Sequence, residues 1–478
     1  MHDISQNLVD IKATLHTAMQ QLNQGVGGVL FCIDGQGVMQ GLLTDGDVRR
    51  ALLKGVTLDD NVSAAMNRQF VKGDALAPRE QSIKLLGPVV RHVPLVNKAG
   101  QPVDMVSWSE MWRLPVTTPS LSGNELKYVI DCIETVWISS QGDYIDKFQD
   151  AFAAYHGGGE ALSTSSGTTA LHLALVALGI GVGDEVIVPN ISFGASANVV
   201  IHAGAKPVFV DIDPETWTLD VHALEGVLTS RTKAIMPVHL YGHPCDMDPI
   251  VAFAREHGLK VIEDCAEALG AEYKGRKVGL LGDVGCYSFF ANKVITTGEG
   301  GMVLTEDAEL MERMLLYRDH GMSKQRRYWH VVPGYNYRMT NLQAALGLAQ
   351  MERIEQFLAQ RESVVAMYDE RLGDLKGIRT PSTATWARNI YWLYSIQVDH
   401  EIIGITRDEL AGRLQEHGVD TRPVFPPLHD QPAYGGSDLD FPVSREFSER
   451  GLSLPTGNTL TIDDTERVCN ILRDIVKT

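Results

Sequence analysis

Cys286-Tyr-Ser-Phe-Phe-Ala-Asn-Lys293-Val-Ile-Thr-Thr-Gly-Glu-Gly-Gly301 is an apolar, aromatic segment that runs into a lysine and then a glycine turn, with a second apolar segment at 302–304. Burial disfavours the charged form of a lysine and lowers its pKa. Such a lysine suits chemistry that needs a neutral amine, above all Schiff-base formation with an aldehyde cofactor. Upstream, Lys260-Val-Ile-Glu-Asp264-Cys-Ala-Glu267 reads as a buried strand that ends in an acid. The pair points to pyridoxal phosphate. Lys293 would carry the aldehyde, and Asp264 would keep the pyridine nitrogen protonated so that the ring works as an electron sink.

Further out, Ser163-Thr-Ser-Ser166-Gly167-Thr168-Thr169 opens a helical stretch. Backbone N–H groups, hydroxyls and the positive end of a helix dipole suit a phosphate there, although Ser and Thr also cap helices generally. Ser288, five residues before the lysine, would add a hydroxyl to the same phosphate or else bond within its strand. Phe193 follows the apolar run that ends at Pro189 and would stack on the pyridine ring or serve as a core aromatic. Asp264 lies at the carboxyl end of a strand, where open α/β sheets bind ligands. Glu267, three residues on, would face the same side of a helical turn.

Apolar runs at 185–189, 207–212, 234–240, 260–263, 285–289 and 302–304 alternate with helical stretches. Continuous apolar runs imply strands buried on both faces, hence a mostly parallel α/β sheet. Helical sequence fills 341–372, and the last hundred residues mix short strands and helices like a smaller α+β domain. At the other end, Leu8, Ile11, Leu15, Met19 and Leu22 have the spacing of an amphipathic helix. Strands at 29–33 and 41–44, a turn at Gly35 and Gly37, and a charged helix at 47–54 follow. A weaker echo at 93–96, 99–100 and 103–110 makes residues 1–113 a small α/β module, joined to the rest through the turn-rich 114–123. The expected domains are 1–113, 119–360 and 361–478.

A net charge of −18 argues against nucleic-acid binding, while a local pocket can still take an anionic substrate. Hydrophobic content of 44% and charged content of 21% are those of an ordinary globular protein. No apolar run is long enough to span a membrane. Six cysteines, at 32, 132, 245, 265, 286 and 469, form no CxxC pair and several lie in apolar runs. Buried thiols in a reducing, cytoplasmic setting are the expectation, with no metal site.

From about residue 119 onward the chain resembles the sugar aminotransferases of the DegT/DnrJ/EryC1/StrS group. SSGTTALHLAL, GDEVIVP, GAKPVFVDID, VIEDCAEALGA, YSFFANKVITTGEGG, GYNYRMTNLQAALG and RPVFPPLH occur in family order. WISSQGDYI at 137–145 and RRYWH at 326–330 are similar to the members that aminate GDP-4-keto-6-deoxy-mannose at C4 with L-glutamate as donor. The resemblance implies an α/β fold of the type I pyridoxal-phosphate class and a homodimer with shared active sites. It makes Lys293 both the cofactor-holding nucleophile and the proton carrier. Asp264 would pair with the pyridine nitrogen, Phe193 would cover the ring, Glu267 would sit near the ring hydroxyl, and Thr168, Thr169 and Ser288 would bind phosphate. Asn336 would reach the phosphate from the partner subunit. His330, Arg338, Arg422, Phe425 and His429 are candidates for binding glutamate and nucleotide. The product would feed a surface glycan such as O-antigen.

Within the N-terminal module, Gly41-Leu-Leu-Thr44-Asp45-Gly46-Asp47 resembles a CBS domain, in which Thr44 and Asp47 would hold a nucleotide. A second copy at Val106-Ser107-Trp108-Ser109-Glu110 carries Glu in place of the usual Asp. The module would sense a nucleotide or only pack and oligomerise. Two alternatives stand beside the GDP sugar: a UDP- or dTDP-linked keto sugar, and a nucleotide-sensing regulatory protein whose aminotransferase portion is silent.

Overall fold

The computed structural model describes residues 4–22, 28–77, 81–82, 85–86, 90–107, 114–435 and 440–477. The chain divides into two compact units, Met1–Arg113 and Leu114–Thr478.

The first unit contains β1 (Leu8–Asp10), α1 (Leu15–Leu22), β2 (Val29–Ile33), β3 (Met39–Thr44) and α2 (Asp45–Leu52). It continues with β4 (Gly73–Asp74), β5 (His92–Val96) and β6 (Pro102–Ser107). The amphipathic spacing over 8–22 does not form one helix. Asp10 accepts from Lys12 N–H in a tight turn, Thr14 Oγ1 accepts from Thr17 N–H at the start of α1, and Leu8 pairs with Phe31 in a strand. Leu8 and Ile11 therefore reach the core from a strand and a turn. β1 runs parallel to β2 and β2 antiparallel to β3, and β4, β5 and β6 repeat that arrangement. Each hairpin shifts register near its end, between Cys32 and Ile33 and between Leu95 and Val96. The weak sequence echo is thus a structural repeat. Trp108, Ser109 and Glu110 of the second copy lie outside the described residues.

The second unit is built on β7 (Glu160–Thr164), β8 (Glu185–Pro189), β9 (Lys206–Val210), β10 (Thr232–Ile235) and β11 (Lys260–Asp264). A short ribbon, β12 (Glu272–Tyr273) and β13 (Arg276–Lys277), precedes β14 (Val284–Ser288) and β15 (Gly301–Thr305). The main sheet has seven strands in the order β7-β15-β14-β11-β10-β8-β9. Val186, Val188 and Val303 pack into one core cluster, whereas Ile187, Met302 and Leu304 belong to clusters made by their alternating neighbours. That two-sided burial is why these strands read as continuous apolar runs. Among the described strands of this sheet, β15 alone runs against its neighbours. The connection from β14, residues 289–300, carries no helix, and a parallel return needs a crossover. β7, whose Glu-Ala-Leu-Ser-Thr composition reads as no buried run, is an edge strand paired only with β15.

Helix α3 (Gly167–Ala177) starts directly after β7, and α4 (Ile354–Leu372) runs through position 360. Beyond it, β16 (Ile378–Arg379), β17 (Ala387–Arg388), β18 (Tyr394–Val398), β19 (Arg422–Pro423) and β20 (Gly451–Leu454) follow. β17 joins the ribbon, and the other four make a smaller antiparallel sheet in the order β16-β18-β20-β19. All six cysteines are buried. No described helix is long and apolar enough to cross a membrane.

Candidate active site

The carboxyl ends of β11 and β14, the loop after β8 and the start of α3 converge on a cavity of about 360 Å³. Thr168, Phe193, Asp264, Glu267, Ser288, Lys293 and Phe425, all singled out in the sequence, line it. They come together because the parallel strands deliver their carboxyl ends to one edge of the sheet.

Lys293 Nζ lies 3.3 Å from Glu267 Oε1, with side-chain exposures of 13% and 5%. Burial pulls the lysine pKa down, and the carboxylates of Glu267 and Asp264 oppose that pull. Burial pushes the Glu267 carboxyl up, against the stabilising effect of Lys293 and of the Tyr241 backbone N–H. That N–H donates to Glu267 Oε2 at 3.0 Å, from a backbone held at φ 51°. Burial and the two carboxylates thus act on the amine in opposite directions, and burial prevails, which favours the neutral form that a nucleophile and proton carrier must be able to reach. Glu267→Gln removes the negative charge that favours the ammonium. The pH at which borohydride fixes pyridoxal phosphate half-maximally to Lys293 is expected to move down, because the neutral amine then persists to lower pH; an unmoved midpoint would exclude the coupling.

Asp264 is 4% exposed. Its Oδ2 accepts from Ser196 Oγ–H at 2.8 Å and its Oδ1 from Ala266 N–H at 3.1 Å. Burial pushes this carboxyl up and these donors hold it back. Ser196 Oγ also lies 2.7 Å from Ser192 Oγ, which puts a hydroxyl pair behind the acid.

At the start of α3, Ser166 and Thr169 form a reciprocal capping box. Thr169 Oγ1 accepts from Ser166 N–H at 3.0 Å and donates to Ser166 O at 2.8 Å. Its hydroxyl is spent on the cap and Thr169 does not line the cavity, whereas Ser166, Gly167 and Thr168 do. A Cβ on Gly167 would stand 2.6 Å from Ser288 Cβ, so only glycine lets the helix start approach the end of β14 this closely. The result is a concave cradle of backbone N–H groups and hydroxyls at a helix N-terminus, which fits a phosphate. Gly167→Ala is expected to lower stability by about 1–3 kcal/mol through overpacking and to weaken pyridoxal-phosphate binding, both readable by thermal melts with and without the cofactor. Cradle, buried acid and buried amine together match the three ends of that molecule.

The remaining sequence candidates lie elsewhere. Asn336 Oδ1 accepts from Arg338 Nε at 3.1 Å, Arg338 Nη1 pairs with Asp319 at 2.6 Å, and His330 Nδ1 donates to His320 O at 2.8 Å. These three form one polar cluster around 319–320, outside the cavity lining. Arg422 is exposed on β19 and donates to the neighbouring Thr421 O at 3.2 Å. His429 is buried, held by Asn190 at 2.9 Å and Asp430 at 3.1 Å, and belongs to the packing behind the β8 loop. In the first unit, Thr44 and Asp47 form the capping box of α2, and Asp47 also pairs with Arg50 at 2.7 Å.

Sequence reading missed Trp392, whose ring centroid lies 3.6 Å from Lys293 Nζ. It also missed Tyr241, which stacks between Trp392 and Phe425 at centroid distances of 6.1 and 5.4 Å. With Phe193 against Phe425 at 6.0 Å, these rings form one aromatic wall. The Trp392 signal, an aromatic inside an apolar stretch far from the lysine, is that of any core residue.

Comparison with known proteins bears on the second unit. The sequence profile of the DegT/DnrJ/EryC1/StrS aminotransferase family matches residues 119–473. The GDP-perosamine synthase of Caulobacter vibrioides is 50% identical over 370 residues, 77% of this chain and 100% of that protein. The GDP-perosamine synthase of Escherichia coli O157:H7 is 45% identical over 364 residues, 76% of this chain and 99% of that one. DesV from S. venezuelae, solved in complex with a ketimine intermediate, is similar in structure with a TM-score of 0.70 at 35% identity, covering 74% of this chain and 95% of DesV. The aminotransferase TlmJ from Streptoalloteichus hindustanus has a TM-score of 0.72 at 33% identity, covering 76% and 99%.

Proposed function

This chain belongs to the DegT/DnrJ/EryC1/StrS aminotransferase family, and on that premise we propose that it moves an amino group from L-glutamate to the C4 ketone of a GDP-linked 4-keto-6-deoxy sugar, making GDP-perosamine. The observation that carries this reading is the Lys293–Glu267 pair beside Asp264, facing the glycine-gated cradle at the start of α3. The GDP-sugar assignment draws on the two synthases at 50% and 45% identity.

Ser166, Gly167, Thr168 and Ser288 would hold the phosphate of pyridoxal phosphate, Asp264 its ring nitrogen, and Phe193 one ring face. Bound there, the cofactor would carry the amino nitrogen from donor to acceptor and supply the electron sink for the carbon that loses its proton. Lys293 Nζ would link to the cofactor between turnovers and, once freed, would hold and return the proton on each half of the reaction. Glu267 Oε1, 3.3 Å away, accepts from the protonated amine and stabilises its positive charge. Ser196 keeps Asp264 oriented, and the aromatic wall of Trp392, Tyr241 and Phe425 excludes water from the amine.

Three further parts of the proposal concern the whole protein. A second copy would cover the exposed Leu126, Ile133, Val136, Trp137, Tyr328 and Trp329 and bring Asn336 and its polar cluster to a neighbouring site. The duplicated sheets of the first unit support a CBS-like nucleotide sensor around Thr44 and Asp47. Six buried cysteines suit work in the cytoplasm.

A half-reaction tests the substrate. Enzyme carrying the amino form of the cofactor is mixed separately with GDP-, UDP- and dTDP-linked 4-keto-6-deoxy sugars while the cofactor spectrum is followed. Return of the aldehyde form with the GDP sugar alone is the expected result. Return with another nucleotide would keep the family and overturn the GDP assignment.

A further inference from the structure

Lys293 stands on residues 289–300, which lie between β14 and β15 outside regular secondary structure. The carbonyls on both sides of the lysine are held from the far end of the chain. Trp392 Nε1–H donates to Asn292 O at 2.8 Å, and Asn458 Nδ2–H donates to Val294 O at 2.8 Å. Trp392 also presents its ring face to the amine. Both donors converge on Arg361, which is 1% exposed. Its Nε donates to Asn458 Oδ1 at 2.9 Å, and its Nη1 donates to the carbonyls of Trp392 at 2.9 Å and Thr456 at 2.7 Å.

A buried guanidinium is an expensive way to join two segments, since apolar packing would stabilise the same contact at lower cost. Here its partners are carbonyl and amide oxygens whose directions it fixes, and two of them belong to the residues that grip the lysine loop. We infer that Arg361 is a positioning residue for the Lys293 amine, acting through Trp392 and Asn458. A displacement of 1 Å at a reacting group can cost roughly 10²-fold, so a loop without regular structure needs such a clamp. This rests on the reading of Lys293 as the cofactor-linking amine.

Two variants cut the clamp at its ends and leave Arg361 in place. Trp392→Phe keeps a ring over the amine and deletes the N–H to Asn292 O. Asn458→Asp keeps the acceptor for Arg361 and replaces the N–H that faces Val294 O with a carboxylate oxygen, which cannot donate. Each is made in the parent chain and in Lys293→Ala, freed of cofactor and mixed with pyridoxal phosphate. Linkage, in which Nζ replaces the aldehyde oxygen and water leaves, is quenched over time with borohydride and read as mass on the Lys293 peptide. The linkage rate is expected to fall about tenfold or more in each variant, while non-covalent affinity for pyridoxal phosphate in the Lys293→Ala background stays at its reference value and the melting temperature falls only by the modest amount that one lost hydrogen bond explains. Parent-like linkage rates would overturn the inference. So would an equal loss of affinity in the Lys293→Ala background, which would mark the clamp as general packing. If the parent itself gains no cofactor mass on Lys293, the reading of the site fails, and that result is separate from either outcome for the clamp.

Discussion

Lys293→Ala is expected to fold, to retain pyridoxal phosphate without a covalent bond, and to lose turnover by about 10⁴-fold or more, because nucleophile and proton carrier vanish together. The cradle of Ser166, Gly167, Thr168 and Ser288 is independent of the lysine, so cofactor affinity persists. Glu267 loses its partner but keeps the Tyr241 N–H on Oε2, and without the ammonium to oppose it burial favours its protonated form. The fold therefore tolerates the change. Borohydride should then leave no cofactor mass on the 289–300 segment. Turnover within about tenfold of the parent would remove Lys293 from both roles.

Asp264→Asn separates charge from shape. Ser196 Oγ–H donates to Asp264 now, but the hydroxyl pair Ser192–Ser196 can reverse its direction and accept from an amide N–H instead. The substitution therefore keeps the packing and deletes the negative charge proposed to face the ring nitrogen. A fall in kcat of roughly 10²–10³ is expected, the scale of losing one preorganised electrostatic partner. KM for glutamate and covalent trapping on Lys293 should change little. Unchanged kcat would show that the acid only caps the turn at Ala266.

Much of the site was legible because its residues lie within short segments at strand ends, where strand, glycine and polar residue occur in one window. Asp264, Ser288 and Lys293 are of this kind. Thr168 and Thr169 show the limit of such reading: the chemistry that caps a helix also binds phosphate, and only the geometry assigns Thr169 to the cap. His429 lies outside the cavity lining for a related reason, since a histidine in a polar motif gives no sign that it will be buried and hydrogen-bonded to Asn190. Trp392, Asn458 and Arg361 reach the lysine from about 70 to 165 residues further along the chain, a pairing that periodicity cannot report. The strand at 160–164 escaped notice because an edge strand need not be apolar throughout. The spacing over 8–22 misled because strand, turn and helix residues happened to fall three or four apart.

The reversed strand β15 also bears on the order of assembly. Its pairing with β14, Gly285 with Leu304 through Ser288 with Gly301, is a hairpin between near neighbours in the chain. The pairing of Thr164 with Gly301 spans well over a hundred residues. Local contacts close early and distant ones late, since loop entropy must be overcome before distant pairing repays it. The lysine hairpin can thus form while the phosphate cradle is still open, and the cradle shuts only when β7 docks along the outer edge of β15. Cofactor capture would in this sense be a checkpoint on the native topology: a chain that has collapsed without seating β7 holds the amine and Ser288 but lacks the start of α3 that completes the phosphate cradle.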